Sequence, residues 1–238
     1  TYWAEIPFAD LTTSREIYTE AKRIEALREC LTTFKNLLIE RANQPPKGDL
    51  VSMLAHSPMV NMDDQQLLST LNLLIIGGND TTRNSISGGL LALMNNPDEL
   101  AKLRADPSLV KSLVPEIIRW QTPLTHMRRT TTREVQVRGV TIPAGEKVVM
   151  WYLSGNRDEQ VIENADRFVV DRKNPRHHLS FGFGIHRCVG NRLAEMQIRI
   201  LWEEILSQNL TFELMREPER TYSHVVHGFA TMPVKLGR

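Results

Sequence analysis

The chain has 238 residues, long enough for one or two domains around a sizeable core. Its 29 basic and 28 acidic residues leave a formal net charge of +1, so no global basic field points to nucleic acid. No run of about 18 apolar residues suggests a membrane anchor, the opening Thr1-Tyr2-Trp3-Ala4-Glu5 lacks a secretory pattern, and two cysteines read as thiols suit a reducing cytoplasm.

Apolar residues at helical spacing predict a long helix over about residues 14–42, with Ser14 as its N-cap and Pro45-Pro46 and Gly48 as its stop. Ile17, Ala21, Ile24, Leu27, Leu31, Phe34 and Leu38 share its apolar face. A short helix follows near 49–55. Residues 63–94 form the longest periodic segment, roughly 45 Å at about 1.5 Å per residue. It is apolar nearly all round, which predicts a buried central helix. Shorter helices are expected over 98–105 and 108–121. Between 127 and 149 the pattern alternates, and strands are expected at 135–137, 140–142 and 147–150, with Gly139 and Ala144-Gly145 as turns. Residues 153–180 are polar and read as irregular. A last helix over 189–206 and short strands near 210–215 and 233–236 complete the chain. The expected fold class is mainly α with a minor β-sheet.

The stretch Phe181-Gly182-Phe183-Gly184-Ile185-His186-Arg187-Cys188-Val189-Gly190 sets one cysteine among three glycines, just ahead of the last helix. Gly182 and Gly184 let backbone approach a planar surface where a Cβ would collide. A helix N-terminus stabilises a thiolate. The pattern suits a thiolate held against a large flat cofactor. A zinc site built from His178, His186 and Cys188 is the rival, although it lacks the paired, closely spaced ligands of structural zinc motifs.

Two further segments carry a signal. Gly77-Gly78-Asn79-Asp80-Thr81-Thr82 interrupts the central helix with two adjacent glycines, each costing about 1 kcal/mol relative to alanine. Such a cost fits close approach of a ligand, and Asp80 in apolar surroundings needs partners, water or a function. A hydrated kink with a threonine bonding back to a carbonyl explains the same residues. Glu116 and Arg119 stand at i and i+3 on one helix face, a pairing of little weight by itself.

Together these segments resemble the cytochromes P-450, the heme-thiolate monooxygenases. Phe181, Gly184, Cys188 and Gly190 match the family's heme-ligand loop. The resemblance implies the fold of that family, with a long central helix, and heme b (iron protoporphyrin IX) as cofactor, its iron ligated by Cys188. It implies that residues 1–238 are the C-terminal part of a single cytochrome P-450 domain whose N-terminal half is absent. Asp80 and Thr81 resemble the acid–alcohol pair that manages proton delivery during oxygen activation, with Gly77 leaving room for oxygen and substrate. Glu116, Arg119 and Arg172 resemble the structural salt-bridge motif. Arg128 and His186 match propionate-binding positions, Arg129 competing with Arg128. Phe181, Gly182 and Gly184 would flank the cofactor, and Leu73, Ile76, Gly77, Leu124, Val225 and Val226 would line the substrate pocket.

The wording of the helix and cysteine segments looks like the bacterial branch that hydroxylates terminal methyl groups of medium-chain alkanes and fatty acids. The implied partners are an apolar small molecule, O2, and a ferredoxin with its NAD(P)H-dependent reductase, because no flavin, nucleotide or iron–sulfur motif is present. Arg187, Arg192 and Arg199 offer a basic docking face. A non-catalytic heme-thiolate sensor and an inactive fragment are the alternatives.

Overall fold

A computed structural model describes Trp3, Ile6 and residues 19–238, apart from the side chains of Met59, Val60 and Ile76. It divides into two compact units, Thr1–Asp80 and Thr81–Arg238. In the first, helix α1 spans Glu20–Ala42, and its N-cap is Thr19, whose side chain accepts from the Lys22 amide. Ser14 and Ile17, expected at the start of this helix, lie outside the described residues. Ala26, Cys30 and Leu38 form its buried face, and burial pushes the Cys30 thiol up. Helix α2, Leu50–Ala55, is capped by Asp49, which accepts from the Ser52 amide at 2.8 Å. A 3₁₀ turn at Pro58–Asn61 leads to α3, Asp64–Asn95. No helix among the described residues is long and apolar enough to cross a membrane.

Helix α3 departs from the expected uniform burial. Leu73 is 72% exposed, whereas Asn84, Ser85, Ala92 and Leu93 are buried. The reason lies in the second unit, where α5 (Val110–Gln121) crosses Gly88 and Gly89. A Cβ on Gly89 would sit 2.6 Å from Ile117 Cδ1, and one on Gly88 would collide with the Gln121 side chain. This glycine pair is what lets the two helices approach.

Around that crossing, the core gathers Leu93, Leu113, Ile117 and Ile118 with Ile198 and Trp202 of α7 (Asn191–Ser207) and with Phe168 and Val170. Helix α4, Pro97–Ala105, adds Leu103. After α5 the chain turns at Thr122, held at φ 42. Among the described residues the β structure is four separate antiparallel pairs. Strand β1 (His126–Thr130) pairs with β4 (Lys147–Trp151), and β2 (Val135–Val137) with β3 (Val140–Ile142). Strand β5 (Thr211–Leu214) pairs with β8 (Val234–Gly237), and β6 (Glu219–Arg220) with β7 (Phe229–Thr231). A short helix, α6 (Tyr152–Gly155), opens the irregular segment that reaches the cysteine loop.

Candidate functional site

Helix α5 positions a buried ionic cluster. Glu116 and Arg119 are both 0% exposed. Arg119 donates to the Glu116 carboxylate from Nε at 2.8 Å and Nη2 at 2.7 Å. Arg172 donates to it from Nε at 2.8 Å and Nη2 at 3.2 Å, and the Val169 amide from 2.9 Å. The remaining guanidinium hydrogens go to carbonyls. Arg119 reaches Asn156, Ala165 and Arg167 at 2.7–2.8 Å, and Arg172 reaches Glu163, Asn164 and Arg167. One carboxylate between two arginines thus gathers the irregular 156–172 segment by its backbone, the arrangement under which buried charges are tolerated. Beside it Arg157 stacks 3.9 Å over the Trp120 ring and donates to the Trp120 carbonyl at 3.0 Å. Burial lowers its pKa to about 10, so it remains a cation at neutral pH.

The cysteine loop follows. Phe181 packs on the core of the second unit, and its carbonyl accepts from the Cys188 amide at 2.8 Å, closing the loop. Gly182 and Gly184 have φ of +69° and +73°, so the left-handed backbone itself favours glycine at both positions. No atom lies within 4 Å of a Cβ added at Gly184. Between these anchors the loop is turned outward. Cys188 is an exposed free thiol, and Phe183, Ile185 and Val189 are 82%, 97% and 95% exposed. Three large apolar side chains left in water around a thiol form a surface that asks for a wide apolar ligand. A soft sulfur donor amid apolar contacts fits an iron porphyrin. Among the described residues no three His, Cys, Asp or Glu side chains gather as a metal-binding group, so His178, His186 and Cys188 do not converge on a zinc site.

His178 is instead packed 5.5 Å from the Phe181 ring, and its Nδ1 accepts from the Ser180 amide at 3.3 Å. Burial pulls its pKa down to about 4, which keeps the ring neutral. His186 is exposed within the 3₁₀ turn Gly184–His186. On β1, strand alternation sends Arg128 and Arg129 to opposite faces. Arg128 is exposed, while Arg129 is partly buried and donates to the Arg128 carbonyl at 2.9 Å.

The other expected residues fall in separate places. Leu124 and Val226 form a β-bridge, and the Thr125 amide donates to the Val225 carbonyl at 2.9 Å, so these three pocket candidates come together. Leu73, Gly77 and Asp80 belong to the first unit and Thr81 opens the second. Asp80 is buried and Gly77 exposed, and a Cβ added at Gly77 or Gly78 would meet nothing within 4 Å. The Thr81 carbonyl accepts from the Ser85 hydroxyl at 2.8 Å. Ile76 lies on α3, its side chain outside the described set.

Sequence reasoning passed over Asn156, which is 0% exposed and binds both the end of α5 and the stem of the cysteine loop. It stands in a polar run read as irregular, and an asparagine that no water reaches has no signature of its own. The Gly88-Gly89 pair carries the same local signal of close approach as Gly77-Gly78, and it is the pair that meets α5.

The family model described as Cytochrome P450 matches residues 6–236. The chain is 39% identical over 201 residues to linalool 8-monooxygenase of Pseudomonas putida, covering 84% of this chain and 49% of that protein. It is 38% identical over 191 residues to a methyl-branched lipid omega-hydroxylase of Mycobacterium bovis, covering 78% and 44% respectively. Among solved structures, cytochrome P450-153 from Novosphingobium aromaticivorans matches with a TM-score of 0.90 at 47% identity, over 99% of this chain and 58% of that one. The chain spans about half the length of the curated relatives it matches.

Proposed function

This chain belongs to the cytochrome P450 family, whose cofactor is heme b held through a cysteine thiolate, and from that membership we propose that it forms the thiolate-bearing part of a monooxygenase. The reaction is R–H + O2 + 2 e⁻ + 2 H⁺ → R–OH + H2O, directed at terminal positions of medium-chain alkanes or fatty acids. The observation that carries this reading is the exposed Cys188 thiol set among outward-facing Phe183, Ile185 and Val189.

In this reading Cys188 would ligate the iron, and Phe183, Ile185 and Val189 would give the cofactor apolar contacts. Gly182 and Gly184 keep the loop in its left-handed turns and Phe181 anchors it, while Arg128 and His186 would donate hydrogen bonds to the propionates. When bound, the heme supplies the activation of O2, which thiolate donation favours. Thr81 would offer a hydroxyl hydrogen bond, and Asp80 a carboxyl group for proton transfer, during oxygen activation. Within the second unit, Leu124, Val225 and Val226 would present an apolar surface to the substrate chain.

Relatives named for linalool and methyl-branched lipid oxidation support an apolar aliphatic substrate. Electrons come from a ferredoxin and its NAD(P)H-dependent reductase. A cleft of about 270 Å³ lined by Lys111, Arg176, Arg192 and Arg199 around Glu195 supports an acidic partner. Two cysteines, neither in a disulfide, favour a reducing, cytoplasmic setting.

Replacing Cys188 by Ser in the intact protein tests the reading. The expected result is loss of the thiolate-type band in the carbon monoxide difference spectrum, together with loss of hydroxylated products from octane and lauric acid by gas chromatography. An unchanged spectrum and turnover would overturn it.

A further inference from the structure

The Glu116 cluster binds the segment 156–172, and among the described residues its hydrogen bonds do not reach the cysteine loop. What holds the loop's stem is a different group. The Asn156 side chain donates from Nδ2 to Thr122 Oγ1 and to Ser180 Oγ, each at 2.8 Å, and its Oδ1 accepts from the Leu179 amide at 2.7 Å. Both hydroxyls spend their own protons on the end of α5. Thr122 donates to the Arg119 carbonyl at 2.6 Å, and Ser180 to the Ile118 carbonyl at 2.8 Å. The amide orientation is therefore determined, because only the nitrogen can donate to two oxygens whose protons are in use. Every polar atom of this fully buried side chain is engaged.

The distance to the thiol is short along the chain. Ser180 precedes Phe181, whose carbonyl takes the Cys188 amide. Gly182, the next residue, donates to the Leu179 carbonyl at 2.8 Å. The peptide that fixes the backbone at Cys188 thus adjoins the residues that Asn156 grips. The other end of the network is a helix terminus where the Ile118 carbonyl also takes the Thr122 amide at 3.0 Å, while the Arg119 carbonyl faces Pro123, which has no N–H to give.

We propose that Asn156 is the positioning residue of the Cys188 loop, setting the height and tilt of the thiolate by clamping Leu179 and Ser180 to the C-terminal end of α5. The inference rests on the heme-thiolate reading given above. Glu116 and its arginines then stabilise the segment, and Asn156 transmits that rigidity to the ligand.

Three substitutions in the intact, heme-loaded protein test this. Asn156→Asp keeps the volume but turns an acceptor toward two spent hydroxyls. Ser180→Ala cuts the loop arm, and Leu103→Ala, a core truncation on α4 outside this network, lowers stability alone. Each variant's fold is checked by circular dichroism and its denaturation midpoint. Asn156→Asp and Ser180→Ala are expected to release heme about 10- to 100-fold more readily. They should also convert part of the thiolate-type carbon monoxide band to the neutral-thiol type. Leu103→Ala is expected to lower the midpoint while keeping the thiolate band.

If Asn156→Asp does not fold, Ser180→Ala decides. Folded variants with wild-type heme retention and band position overturn the proposal. So does an equal band loss in Leu103→Ala, which would make general stability the cause. A wild-type protein without a thiolate band defeats the heme reading itself.

Discussion

Glu116→Gln preserves the shape of the side chain and removes its charge. In the native cluster the carboxylate accepts five hydrogen bonds, two from Arg119, two from Arg172 and one from the Val169 amide. A glutamine offers one oxygen and one amino group. Placed with its oxygen toward Arg119 Nη2, Arg172 Nη2 and Val169 N, it turns the amino group against Arg119 Nε and Arg172 Nε, which stood 2.8 Å from the old oxygen. The reverse placement leaves three donors without an acceptor. In both cases two guanidinium charges lose their counter-charge where Arg119 has no access to water. Breaking a buried pair in this way costs about 3–5 kcal/mol, against a typical total stability of about 5–15 kcal/mol. The folding equilibrium should shift roughly a hundred- to several-thousand-fold. Urea denaturation followed by circular dichroism reads this as a large drop in midpoint at unchanged slope. A loss below about 1 kcal/mol would mean that the carbonyl bonds of the arginines carry the cluster and that the carboxylate does not, which would refute the reasoning.

Other outcomes follow from single contacts. Gly89→Ala should cost about 1–3 kcal/mol, because its Cβ would meet three Ile117 side-chain atoms at 2.6–2.8 Å. Gly78→Ala, in open space, should be neutral or stabilising by up to about 1 kcal/mol, and thermal unfolding compares the two. For His178 the folded ring titrates near 4 and the unfolded ring near its ordinary 6.5, so the unfolded chain binds more protons between those values. Stability present above the upper value should fall as pH drops toward the lower one, and His178→Gln should flatten that decline in denaturation midpoints taken across the window. Thr81→Ala should leave NAD(P)H consumption in place while product falls and hydrogen peroxide appears. Tight coupling in that variant would remove the proton-handling role proposed for Thr81.

Local pattern accounts for much of what could be read without coordinates. Helices α1 to α5 and α7 follow from apolar spacing, because a helix writes its buried face into residues three and four apart. The Phe181–Gly190 loop was legible for a similar reason, since left-handed turns and a ligand sulfur put their demands on neighbouring positions. Glu116 and Arg119 share one turn, so their pairing was visible, but nothing local says that it is buried.

Tertiary structure decided the rest. Arg172 meets Glu116 across 56 positions, and the chain between them carries no period that announces the encounter. Asn156 looks like any loop asparagine until folding brings Thr122, Leu179 and Ser180 around it. Two glycine pairs on α3 read alike, yet only Gly88-Gly89 faces a crossing helix while Gly77-Gly78 faces open space. The sequence by itself determined the helices, the loop and its thiol, because propensity and spacing act over a few residues. Which polar groups became partners, and which small residues became contacts, was settled only when distant segments were packed together and each buried donor had to find an acceptor.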